Sequence, residues 1–148
     1  ESSLVGVSRA YRPVSVGDTI AQTTEQAETI SAERLKPWAP VDLRAARASD
    51  GAITLTWKRR TRLSCRFTGT GGINVPLGEA SEAYEVEVFN GAGYASVVRT
   101  ITGLSSAQAT YSAAQQVSDF GSLRSVVYVR VYQLSAAVDR GHELQAAA

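Results

Sequence analysis

One histidine, one cysteine and a run of glutamates are the side chains in this chain with types suited to chemistry. A hydrolase of the Ser–His–Asp kind needs a base held against a nucleophile. His142 stands beside Gly141 in "DRGHEL", a turn-like stretch, and no Gly-x-Ser-x-Gly elbow exists to partner it. It reads as an exposed loop histidine. A single histidine with a single cysteine, Cys65, does not fill a zinc site of the usual kinds. Calcium would want clustered aspartates around a turning glycine, whereas "SDG" at 49 to 51 reads as an ordinary turn. Glu79, Glu82, Glu85 and Glu87 invite comparison with the carboxylate pair of a glycosidase. Glu85 and Glu87 alternate along one strand, so both project from one face about 7 Å apart. Nothing in the sequence buries them or separates their proton affinities, as an acid–base pair requires. A solvated strand face is the expectation. No catalytic residue, cofactor or metal is assigned, and the chain is read as a non-enzyme.

The stretch "WKRRTRLSCR" holds Lys58, Arg59, Arg60, Arg62 and Arg66. Alone it would suit phosphate. The acidic stretch "GEASEAYEVE" follows across one loop, so mutual neutralisation or a charged subunit contact is expected instead. Aromatic side chains do not interleave the arginines for base stacking, and no nucleic-acid partner is assigned. The glycine-rich "TGTGGINVPLG", 68 to 78, has no Walker lysine and opens no helix. It reads as a long loop between strands and as one candidate surface-contact site, with "LSAAVDRG", 134 to 141, as another.

The elements that would carry these residues are mostly strands. "AITLTWK" turns Ile53, Leu55 and Trp57 to one side and Thr54, Thr56 and Lys58 to the other. In "YEVEVF", Tyr84, Val86 and Val88 point inward and Glu85 and Glu87 outward. Asn90-Gly91 tolerates positive φ and predicts a hairpin into "SVVRTIT". "SVVYVRVYQL" places Val127, Val129 and Val131 on one face, and Tyr128, Arg130 and Tyr132 on the other. Such alternation predicts antiparallel sheets wet on one side. Ser112 and Gln115 in "SAAQQVSDFG" have capping-box spacing, with Gly121 as the stop, so a short helix is predicted there. Residues 37 to 148 thus predict an all-β sandwich.

Residues 1 to 36 differ. "SSLVGVSRAYRP" is compatible with a strand, and "DTIAQTTEQAETISAERL" has neither period. Two prolines in "LKPWAPVDL" then stiffen the chain, so a domain boundary is placed near Lys36. The chain has 148 residues, 44% of them hydrophobic, and a net charge of +1. That suffices for one filled domain with a remainder and gives no general attraction to polyanions. One cysteine forms no disulfide within the chain, which suits synthesis in a reducing cytosol. No apolar run spans a bilayer and no signal-peptide pattern occurs. A start at Glu rather than Met is read as a fragment or a processed product.

The order Pro37-Trp38-Ala39-Pro40-Val41, "ITLTW", "YEVEV", "VYVRV" resembles the fibronectin type III family. The resemblance implies a proline-led first strand, a buried Trp57, and Tyr84 opening a third strand. Two features depart from it. Tyr128 has the wrong parity for the tyrosine corner, where Val127 stands, and a helix replaces the usual turn before the late strand. More narrowly, "LKPWAPVDLRA", "TWKRRTR", "VPLGEASEAYEVEV", "YSAAQQVSDFG" and "VYQLSAAVDRG" are similar to the C-terminal end of the baseplate hub proteins of gene transfer agents and siphophages.

That similarity implies a β-sandwich at the distal tip of a phage-like tail, with 1 to 36 ending a preceding domain. It implies a homotrimeric virion component, made in the bacterial cytoplasm, with other tail proteins as partners and host-surface contact through a glycan or receptor. A carbohydrate-binding module attached to a larger enzyme or adhesin is the alternative. Tyr128, Tyr132, Arg130 and Arg140 are the candidate contact residues, with Trp38 a further aromatic for a sugar. The two tyrosines, exposed by parity, either offer a flat contact or cover the sheet against a preceding domain.

Overall fold

The structure, a computed structural model, describes residues 4–63 and 75–148. The chain divides into two compact units, Glu1–Leu35 and Lys36–Ala148. Cys65, Arg66 and most of the glycine-rich loop lie outside the described residues.

The first unit is a hairpin. β1 (Ser8–Tyr11) pairs antiparallel with β2 (Gln26–Thr29), in register from Ser8↔Thr29 to Tyr11↔Gln26. A 3-10 turn, Ile20–Gln22, lies between them, capped by Thr19 N–H donating to Gln22 Oε1 at 2.8 Å. A second, Glu33–Leu35, follows. None of its described residues is buried.

The second unit is a two-layer β-sandwich. β3 (Val41–Arg47), β4 (Ile53–Lys58) and β7 (Gln108–Tyr111) form one antiparallel sheet in the order β3-β4-β7. β5 (Tyr84–Phe89), β6 (Val97–Leu104), β8 (Tyr128–Ser135) and β9 (Asp139–Ala147) form the other, ordered β6-β5-β8-β9. The period-two positions meet between the layers. Ile53, Leu55 and Trp57 pack with Tyr84, Val86, Val88, Val127, Val129 and Val131 in one buried cluster. All nine are 5% exposed or less. Each such side chain contributes about 1.5–3 kcal/mol by leaving water. Trp57 meets Tyr84 edge-on, ring centroids 5.3 Å apart. Ala109 and Tyr111 of β7 complete the cluster.

Local devices fix the connections between strands. The 49–51 turn forms as read: Gly51 has φ +89° and Ala52 N–H reaches Asp50 Oδ1 at 3.0 Å. The hairpin after β5 departs from the expectation. It spans 90–96, closed by Asn90 N–H to Ser96 O at 3.0 Å, and its left-handed residue is Tyr94, φ 49°, rather than Asn90 or Gly91. α1 (Ala113–Phe120) is the predicted short helix. Ser112 Oγ accepts Gln115 N–H at 3.2 Å, Ser112 N–H reaches Gln115 Oε1 at 2.9 Å, and Gly121 ends it in the left-handed region. Fully buried Gln116 ties the helix to the 49–51 turn by donating to Gly51 O at 2.9 Å.

β9 departs from the expectation. The stretch read as loop and turn is a strand from Asp139, with His142 exposed upon it. Buried Pro37 lies against this strand. His142 N–H donates to Pro37 O at 2.9 Å. A Cβ on Gly141 would stand 2.6 Å from Pro37 O and 2.9 Å from Gln133 O, so only glycine permits the approach.

Candidate interaction face

β5, β8 and β9 place their alternate residues on the outer face of the four-stranded sheet. The pairing Glu87↔Arg130↔Gln145 and Glu85↔Tyr132↔Glu143 sets acid, base and ring side by side. Cross-strand neighbours on one face lie close enough to interact directly. Arg140, from the start of β9, reaches back over the sheet and pairs with both Glu85 and Glu87, the latter at 2.9 Å. Its guanidinium also stacks 4.7 Å over the Tyr132 ring. Tyr132 OH donates to Glu87 Oε2 at 3.1 Å. Arg130 bonds Gln145 Oε1 at 3.1 Å and pairs with Glu143 at 3.3 Å. It also lies over Phe89 at 4.8 Å and Tyr94 at 5.5 Å. Tyr94 bridges Phe89 and Tyr128 by edge-on contacts of 5.3 and 5.8 Å.

Two expectations are overturned here. Glu85 and Glu87 are not a freely solvated pair: their side chains are 14% and 10% exposed, and both are paired with Arg140. Tyr132 is not exposed, at 7%, although its parity is as read. Parity gives the face of a residue; what lies over that face is set by a distant arginine. Tyr128 is half-buried, and Arg140 stands exposed. The electrostatics follow. Burial, then the Glu87 carboxylate, raises the Tyr132 phenol above its ordinary value. Burial pulls the Arg140 guanidinium down, but Glu85 and Glu87 outweigh it and carry the group up.

The charged stretches neutralise each other as expected. Arg59 pairs with Glu82 at 3.1 Å and also holds Val75 O, and Arg62 pairs with Glu79. Tyr84 OH donates to Glu82 at 2.8 Å. A similar set lies under α1: Asp119 takes two bonds from Arg99, 2.6 and 2.8 Å, and one from Tyr111 OH at 2.7 Å. The Arg99 bonds first, and the Tyr111 bond after them, hold the Asp119 carboxyl below its ordinary range. Sequence reasoning missed Phe89, Tyr94, Glu143 and Gln145 on the outer face. The alternation Glu143, Gln145 was the available signal, masked by Gly141. Among the described residues no group of three His, Cys, Asp or Glu is placed to hold a metal, and no helix is long and apolar enough to cross a membrane.

No protein-family model and no curated protein matches the chain. Among solved structures it is similar to domains d3–d4 of the rat CD45 extracellular region, at TM-score 0.50 and 16% identity. That match covers 97% of this chain and 64% of the CD45 chain, so this chain spans less than two thirds of it. It is also similar to the FN5 domain of Drosophila Lar, at TM-score 0.44 and 13% identity, over 76% of this chain and 94% of that one. With the strand orders β3-β4-β7 and β6-β5-β8-β9, the chain is an all-β protein with a fibronectin type III-like sandwich.

Proposed function

We propose that the chain is a non-catalytic structural and interaction module. The observation that carries this is the outer face of the four-stranded sheet. Its carboxylates are paired with Arg140 and Arg130 and its rings lie against arginines, so it forms a set surface instead of a reactive cleft. Rigid aromatic and arginine side chains are what protein contact surfaces concentrate.

Two refinements belong to the proposal. Residues 1 to 36 end a preceding domain. In support, no described residue before Lys36 is buried, and a lone two-stranded hairpin is marginally stable in water. The parent assembly is the distal tip of a phage-like tail, homotrimeric, built with other tail proteins in the bacterial cytoplasm. Here the support is the sequence resemblance. Immunogold labelling of tailed particles with antibody to this chain tests it. Label at the distal tip is expected; label elsewhere, or none, removes the tail assignment.

A further inference from the structure

Trp38 is exposed over 46% of its surface, beside the start of β3. Tryptophan is one of the side-chain types on which protein contact surfaces are built. The guanidinium of Arg60 lies 4.6 Å over its ring. A groove of about 300 Å³ opens beside them, lined by Trp38, Ala39, Arg60 and His142. A second depression of about 230 Å³ shares Trp38 and Arg60 and adds Thr61. Among the described residues neither is lined by an acidic one. The neighbouring cations are already used: Arg59 holds Glu82, and Arg62 holds Glu79. No carboxylate of the described residues pairs with Arg60. The site is also held in place. Pro37 O accepts the His142 N–H, so one bond positions the backbone of both Trp38 and His142.

We infer that this groove docks an acidic segment of a partner protein. An Asp or Glu carboxylate is gripped by Arg60, and an adjacent apolar side chain lies against Trp38. The stacked guanidinium presents its flat face to the ring and leaves its edge N–H donors for a carboxylate, which they bind as a fork. Stacking restrains the arginine beforehand, so less side-chain freedom is lost on binding. Tryptophan and arginine are also the types that dominate contact energies. The groove is open to solvent, which suits a chain segment better than an enclosed small ligand. His142 adds a polar group at the rim.

The inference deepens the interaction-module proposal and rests on it, but not on the tail assignment. Its test uses the intact chain against immobilised short peptides: one apolar residue flanked by acidic, neutral or basic residues. Wild type should prefer the acidic set by about tenfold. Arg60→Glu should abolish that preference and shift it toward the basic set. Trp38→Ala should weaken binding about tenfold while the acidic preference persists. Both side chains are exposed, so unchanged thermal melts should accompany these losses. Equal binding of acidic peptides by wild type and Arg60→Glu would overturn the inference. So would wild-type binding to a uronic-acid oligosaccharide with none to the peptides. Failure of the gold label with a positive peptide result would remove only the tail assignment.

Discussion

The two faces of the four-stranded sheet are one residue apart in sequence and stabilised by different means. Val129 and Val131 face inward and are wholly buried among aliphatic and aromatic side chains. Tyr128, Arg130 and Tyr132 face outward, Tyr128 against the Tyr94 ring and the other two within salt bridges and stacked guanidinium groups. The inner face gains free energy by removing apolar area from water. The outer face exchanges hydration for ion pairs, which leaves a smaller net gain. Burial alone therefore does not rank these residues. Tyr132 and Trp57 have similar exposure, yet Trp57 contributes to the apolar core and Tyr132 to a polar lattice.

Three substitutions probe this contrast. The largest effect is expected from Val131→Asp. An unpaired carboxylate among aliphatic side chains should cost more than about 4 kcal/mol and abolish cooperative unfolding in denaturant. An outcome near 1 kcal/mol would mean that the inner face is wet. Next comes Asp119→Asn, at the margin between the layers. It loses charge-assisted bonds to Arg99 and should cost about 1.5–3 kcal/mol at neutral pH. The sign of its pH dependence is fixed by its lowered carboxyl. A depressed folded-state value gives stability above the ordinary carboxylate range that is lost as pH falls through the lowered value. Thermal melts from neutral to acid pH should then lose part of their acid slope in the variant. Arg140→Met should have the smallest effect, about 1–2 kcal/mol, discounted because the side chain is 44% exposed. In a Glu85→Gln, Glu87→Gln background the same change should cost less, as a double-mutant cycle would measure. Equal costs in both backgrounds would mean that the outer face is not an ionic lattice.

Much of the fold was legible because strand parity is a local property. Ile53, Leu55 and Trp57 alternate with threonines and lysine, and no distant residue is needed to see it. The helix was legible for the same reason: Ser112, Gln115 and Gly121 carry both caps within ten residues. β9 was not, since Asp139, Arg140 and Gly141 have poor strand propensity, Asp139 enters the strand in the left-handed region at φ 57°, and the stretch is held by β8 on one side and by the His142–Pro37 bond on the other. The candidate face was half legible. Tyr128, Arg130 and Tyr132 were placed on the correct side, but the burial of Tyr132 and Glu87 depends on Arg140 returning from another strand. Arg60 and Trp38 lie 22 positions apart, and their stacking has no local signature.

Pro37 has a mechanical consequence. Tension entering the sandwich at Lys36 meets the Pro37–His142 hydrogen bond and the tight Pro37–Gly141 contact before it reaches β3. The load is thus shared with β9, and from there with the longest ladder of the four-stranded sheet, whose β8 carries Val129 and Val131 into the apolar interior. A clamp of this kind divides such a load between the two sheets at its point of entry, since β3 belongs to one and β9 to the other.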